Sequence, residues 1–391
     1  MVFRRFFRYI DIITVLIVLA LVGMGLVSIA NVMASPFDGS ESSLADFTSR
    51  LNLQYVEKQA VNFLVGLAGF LIVLVIDYEY LKPVIKYFYF ANVFLLLVLF
   101  LVDKTRGISG WFVFEAIDRA IQPAEICKIS VIVMLSKIIS EDMDNEGHLR
   151  SAKSIGTAIL YCLVPAVLIY LQPDFGTMFV YIVVLCVMLF TAKIAWGYII
   201  AAVSAMLVGF PIAYFTILSD EQINRIQVFL DPSKDPMGAG YNVIQSKISI
   251  GSGQLSGKGF FSSGTLAQLK FVPERHTDFI FSGIVEGLGF IGGTIIIVLY
   301  FLLMFRWIWV AIKAKDNFGT CIVSGVTAML MAHVFENIGM TIGLMPVTGI
   351  PLPFISYGGS NLLTSMIGVG LVMNVWLRRP QKKGQGQLSR L

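Results

Sequence analysis

The chain has 391 residues, of which 57% are hydrophobic and 14% charged, with a net charge of +4 and a mean hydropathy of +0.79. A water-soluble domain carries roughly a quarter charged residues, so this composition excludes a soluble globular enzyme, a disordered chain and a secreted disulfide scaffold. The net charge is too small to argue for nucleic acid; Cys127, Cys162, Cys186 and Cys321 all lie in apolar segments with no C-x-x-C pair, which argues against a zinc or redox motif.

A helix needs about 20 apolar residues to cross the hydrocarbon core. Taken in chain order, candidate spans run over 12–33, 59–76, 84–102, 123–140, 155–171, 177–192, 195–218, 284–305, 319–341 and 361–377. The predicted fold is an all-α polytopic membrane protein, one domain over 1–391. It has ten transmembrane helices and a long external loop, 219–276, between helices seven and eight. Arg4, Arg5 and Arg8 precede the first span, but its apolar run exceeds the ~7–15 residues of a signal core and no clear A-x-A site follows, so it reads as an uncleaved anchor. With the N-terminus inside, Lys82, Lys86, Lys137, Arg150, Lys153, Lys193, Arg306, Lys313, Lys315, Arg378 and Arg379 join those arginines on the inner side. The short outer loops hold only Arg50, Lys58, Lys104, Arg106 and Arg119. That bias predicts a multi-pass protein with both termini cytoplasmic and a basic tail, 378–391, against an anionic leaflet.

Charged residues inside spans are costly and are functional hypotheses by default. Glu125 and Lys128 stand three apart at the start of the fourth span, on one helix face, either as an ion pair gluing the bundle or lining a polar cavity that meets a charged substrate. Asp174, in Gln172-Pro173-Asp174-Phe175-Gly176-Thr177, is placed to cap the next helix. In the long loop, 241–250 puts Val243, Ile244 and Ile248 on one face, predicting a short helix in the membrane interface. The run from Gly251 to Gly259 has the composition of a phosphate loop, but Ser252 and Gly259 stand where that motif requires Gly and Ser or Thr. Flexible amides and Lys258 remain able to hold a phosphate. Asp278 closes the loop as it becomes an apolar helix: either a helix cap, or a carboxylate half out of water that can serve as a base. Glu336 and Asn337 lie near the outer end of the ninth span. The Pro- and Gly-rich stretch 345–360 that follows cannot be helical, yet is apolar enough to dip into the bundle.

Together Gln122 to Lys128, Gln172 to Thr177, Asn224 to Ile226 with Phe229 to Pro232, Pro273 to Asp278, and Asn337 to Ser360 resemble the SEDS family (shape, elongation, division and sporulation) of bacterial membrane proteins over nearly the whole chain. Pro346-Val347-Thr348-Gly349-Ile350-Pro351 resembles the branch that serves elongation. Two departures stand out: 107–111 lacks the Arg that often precedes Trp111, and Ala124 replaces a common Ser.

The resemblance implies ten helices in the bacterial cytoplasmic membrane and a peptidoglycan glycosyltransferase acting on lipid II. It also implies a class B penicillin-binding protein, a transpeptidase, as partner. It makes Asp278 the catalytic aspartate and Glu125 and Lys128 an intramembrane pair important for activity. The poor sugar nucleophile then uses Asp278 as general base, and cations belong near the polyprenyl diphosphate that leaves. Candidates are Lys128, Arg225, Lys258 and Arg275, or a divalent cation such as Mg2+, although no dedicated metal cage is visible in the sequence. Asp174, His276, Ser356 and Tyr357 complete the candidate substrate contacts. A lipid II flippase and a non-catalytic scaffold for the transpeptidase are the alternative readings.

Overall fold

The computed structural model describes residues 10–36, 44–101, 110–114, 119–216 and 218–380. Arg4, Arg5, Arg8, residues 107–109 and the tail after 380 lie outside the described residues. The chain forms helices α1 (Ile12–Met33), α2 (Leu44–Arg50), α3 (Leu53–Val75), α4 (Leu81–Val98), α5 (Pro123–Glu141), α6 (Ala152–Leu171) and α7 (Phe175–Thr191). Then follow α8 (Trp196–Thr216), α9 (Asp220–Leu230), α10 (Ala239–Ser252), α11 (Ile280–Ile312), α12 (Asn317–Ile342) and α13 (Gly359–Leu377). A small antiparallel hairpin, β1 (Phe112–Phe114) with β2 (Arg119–Ile121), precedes α5.

Among the described residues, eight helical segments are long and apolar enough to cross a bilayer: α1, α3, Tyr78–Leu101 around α4, α6, α8, α11, α12 and α13. Of the other two expected spans, α5 carries Glu125, Lys128 and Lys137, and α7 has only 17 residues. Length and composition therefore establish a multi-pass membrane protein without establishing the count of ten. The outward faces agree: Leu64, Ile72, Phe94, Leu160, Phe190, Leu207 and Phe305 are all exposed. So broad an apolar exterior is stable only where the solvent is lipid.

α12 is the axis of the bundle, buried on most sides and packed by α5, α7, α11 and α13, while α13 lies along α3. α8 contributes no buried residue to its apolar window and stands on the outside. Three of the cysteines, Cys127, Cys162 and Cys321, are buried packing residues, while Cys186 is exposed.

The two ends of the bundle differ. At one end short connections are fastened by charge: Arg306 Nε meets Asp11 Oδ2 at 2.9 Å, Arg378 meets Asp77 at 2.8 Å, and Lys315 meets Glu79 at 2.7 Å. There the Arg306 guanidinium also covers the Trp309 ring at 4.3 Å. The opposite end carries the two long connecting segments, 218–279, which holds α9 and α10, and the irregular 343–358. Helix α10 forms where expected but docks differently. Val243, Ser246 and Ser249 face inward while Ile248 is exposed, because Ser246 Oγ donates to the Thr341 carbonyl at 2.8 Å and Ser249 reaches α11. The amphipathic reading of Val243, Ile244 and Ile248 missed this, since two of the inward residues are serines. α9, absent from the sequence prediction, starts with a capping box between Ser219 and Gln222.

Candidate functional site

At the loop-rich end, the segment 343–358 follows a left-handed turn at Gly343 (φ 76°) and runs back into the bundle without forming a helix. Its three prolines deny it an amide ladder, so side chains from other elements hold it. Asn337 Nδ2 donates to the Ile350 carbonyl at 2.7 Å. Ser356 Oγ accepts from Leu352 N at 2.8 Å and donates to the Thr277 carbonyl at 2.6 Å. Gln59 Nε2 of α3 donates to the Ser356 carbonyl at 3.0 Å, and Tyr300 of α11 donates to the Pro353 carbonyl. Irregular backbone at membrane depth needs such satisfaction.

This segment carries the predicted residues to one another. Tyr357 N donates to the His276 carbonyl at 2.9 Å. The rings of His276 and Tyr357 close a triangle with Tyr55, with centroids 5.2 to 5.6 Å apart. Between His276 and α11 stands Asp278, half-buried. Its own carbonyl accepts the second bond of Asn337 Nδ2, at 2.8 Å, and a Cβ at Gly349 would lie 3.5 Å from its Oδ2. Phe279, not Asp278, holds the N-cap position of α11. Arg225 donates to the Val347 carbonyl at 3.3 Å, two residues from Gly349. Arg275 is half-buried, donates to the Val32 carbonyl of α1 at 2.8 Å, and is drawn below the ordinary arginine range by desolvation.

Asp174 approaches from the other side. It caps α7 as expected, with Oδ1 accepting from Thr177 N at 3.0 Å and Oδ2 from Gln122 Nε2 at 2.9 Å. Burial pushes its carboxyl above the ordinary range, against the Thr177 amide that lowers it. Two residues on, Gly176 packs so tightly on Thr348 and Ile350 that a Cβ would collide with both. Thr348 to Ile350 thus threads between Asp278 and the start of α7.

The Glu125–Lys128 pair forms inside α5, with 2.7 Å from Nζ to Oε1, and both groups are buried. Lys128 Nζ also lies 2.7 Å from His333 Nε2 of α12, and Asn361 of α13 reaches Glu125 Oε2 at 3.5 Å. His333, which looked unremarkable in the sequence, is part of this network. A cavity of about 10 Å3 beside it is lined by Glu125, His333, Asn361, Trp307 and Thr364, room for about one water. One turn along α12 from His333, Glu336 is buried, and neither of its carboxylate oxygens has a hydrogen-bond partner among the described residues. The Thr348 hydroxyl lies beside it and also approaches Met340 Sδ, at 3.8 Å.

Lys258 stands apart from this assembly, ion-paired with Glu286 at 2.8 Å. Glu286 escaped the sequence reading, although a carboxylate in a span flanked by glycines is itself a signal. Among the described residues, no three His, Cys, Asp or Glu side chains converge to hold a metal ion.

A model of the cell cycle protein family of FtsW, RodA and SpoVE matches residues 11–381. Peptidoglycan glycosyltransferase MrdB of Escherichia coli strain K12 is 41% identical over 275 residues, covering 70% of this chain and 72% of that protein. Stage V sporulation protein E of Bacillus subtilis strain 168 is 32% identical over 369 residues, covering 93% and 96%. Among solved structures, a chain of a peptidoglycan synthase complex that coordinates polymerization and crosslinking superposes with a TM-score of 0.76 at 29% identity, over 95% of this chain and 99% of that one. The crystal structure of Thermus thermophilus rod shape determining protein RodA gives 0.66 at 24% identity, over 95% and 98%, and shares the fold.

Proposed function

This chain belongs to the cell cycle protein family of FtsW, RodA and SpoVE, and we propose that it is a peptidoglycan glycosyltransferase that polymerises lipid II, with Asp278 as general base. One observation carries the assignment of the base. Asp278 is a half-buried carboxylate at the loop-rich end, its backbone fixed by Asn337 and its oxygen beside the bare backbone of Gly349.

In the proposed step the acceptor hydroxyl gives its proton to Asp278 as its oxygen bonds to the anomeric carbon of the donor. The bond from that carbon to the diphosphate breaks with inversion, and the electron pair leaves with polyprenyl diphosphate. Negative charge gathers on the leaving group, so cations placed in advance lower the barrier. Arg275 stands three residues before Asp278, and Arg225 reaches the Val347 carbonyl two residues from Gly349, so both guanidinium groups belong to the Asp278 assembly. His276, Ser356 and Tyr357 shape its wall, and Asp174 sets the start of α7 against the same segment. Glu125 and Lys128 act further inside, where a paired and buried cation keeps the bundle polar without exposing charge to lipid.

We further infer that both termini are cytoplasmic, so that Asp278 faces outward with the lipid II headgroup. A class B penicillin-binding protein is the proposed partner, and Pro346 to Pro351 favours service in elongation. Purified Asp278→Ala given lipid II tests the base: polymer formation at the wild-type rate would exclude it. Translocation of labelled lipid II in liposomes without any polymer would instead favour a transporter.

A further inference from the structure

The glycine-rich run 251–259 fastens a break in α11. At Gly289 the backbone turns to φ 70°, ψ −170°, and the helix stops bonding to itself. Phe290 N donates to the Gln254 carbonyl at 2.9 Å and Ile291 N to the Leu255 carbonyl at 3.2 Å. In return the Glu286 and Gly287 carbonyls accept from Lys258 N at 2.9 Å and Gly259 N at 2.8 Å. The two bonds that an intact helix would make here, Phe290 N to the Glu286 carbonyl and Ile291 N to the Gly287 carbonyl, are exchanged for four bonds to the loop. The exchange requires bare α-carbons, since a Cβ on Gly257 would collide with the Gly287 carbonyl and one on Gly289 with Gly257 N.

The Glu286 side chain locks the same junction. It is 1% exposed. Oε1 accepts from Lys258 Nζ at 2.8 Å, Leu266 N at 2.8 Å and Ser252 Oγ at 3.3 Å. Oε2 accepts from Ser249 Oγ at 3.0 Å and Ala267 N at 3.2 Å. One carboxylate therefore joins the end of α10, the glycine-rich run, the turn at 265–267 and the outer half of α11.

We propose that Glu286, clamped by Lys258, is a positioning residue for Asp278: it fixes the half-helix 280–288, whose outer end carries the base. The inference rests on the reading of Asp278 as general base. That half-helix is held at its two ends, by Asn337 on the Asp278 carbonyl and by the clamp at Glu286. Eleven residues separate Asp278 from the break at Gly289, about 16 Å at helical rise, so a tilt of about 10° there would carry the carboxylate about 3 Å. A misplacement of about 1 Å costs on the order of 100-fold in rate. Lys258 accordingly acts through Glu286 rather than on the diphosphate.

The test uses the full-length purified protein, with initial rates of glycan formation measured across lipid II concentrations and melting temperatures measured in parallel. Glu286→Gln and Lys258→Ala should each lower kcat about tenfold and leave KM within about twofold. The double variant should be no slower than the slower single one, because both remove one clamp. Lys258→Arg, which can still pair, should regain most of the rate. The Lys258 side chain is 32% exposed, so Lys258→Ala reports on the clamp even if Glu286→Gln fails to fold. A raised KM with unchanged kcat in Lys258→Ala would make Lys258 a substrate contact and overturn the proposal. So would wild-type kcat in Lys258→Ala, or losses that multiply in the double variant. Asp278→Asn separates the two readings. If it polymerises at the wild-type rate, the base assignment fails; if it is inactive while Lys258→Ala and Glu286→Gln are normal, only the clamp fails.

Discussion

Glu286 and Glu336 sit on neighbouring helices, α11 and α12, and each is 1% exposed. Glu286 receives five donors. Glu336 receives none among the described residues. Burial alone therefore does not define what a carboxylate does in this bundle; the donors around it do. A satisfied carboxylate is architecture, because moving it breaks several bonds together. An unsatisfied one is a standing cost that packing elsewhere must offset, and it sits beside the segment that borders Asp278.

The harshest way to break the comparison is to take the charge partner from another buried glutamate. Lys128→Met would strip Glu125 and His333 of their common partner and should cost about 3–5 kcal/mol, read as a lower melting temperature in detergent. A stable Lys128→Met protein would mean that buried carboxylates here tolerate isolation. Next in size, Glu286→Ala should cost about 3 kcal/mol, since the buried Ala267 amide and the half-buried Leu266 amide lose their acceptor. Gly289→Ala tests the same junction from the backbone side: strain at positive φ and the collision with Gly257 should cost at least about 2 kcal/mol.

Glu336→Leu should move the other way, raising stability by about 1–2 kcal/mol as an unpaired buried carboxyl is replaced by an apolar group of similar size. A melting temperature that falls instead would reveal partners that Glu336 depends on. The smallest effect belongs to the charged end of the bundle. Glu79 holds the exposed Lys315 ammonium above its ordinary range by a hydrogen bond and its charge. A raised lysine stabilises fully below its unfolded pKa, about 10.4, and loses that contribution only as pH climbs through the folded value. At about pH 7 the pair is thus fully formed, yet solvent screening leaves it little weight. Lys315→Met should melt with the wild type.

Much of this was legible in the sequence. The first span coincides with α1 at 12–33 and the fourth with α5 to within one residue, because a span is defined by contiguous apolar residues. The spacing of Glu125 and Lys128 gave their pair, a local property of one helix. The prolines of 345–360 gave the irregular segment. Asp174 proved to be the cap its position promised, whereas at α11 Phe279 rather than Asp278, equally well placed by sequence, holds the N-cap position. The difference lies in Asn337, which holds the Asp278 backbone from another helix. Lys258 pairs with Glu286 across 28 residues, a partner that its position in the glycine-rich run did not announce.

The sequence by itself determined where the chain can lie in lipid and which polar residues must find company there, since both follow from transfer free energies along contiguous stretches. Only the tertiary structure decided who that company is. Lys128 meets His333 across 205 residues and Asn337 meets Asp278 across 59. Such pairings depend on which helices become neighbours and how they rotate, and no local pattern encodes that.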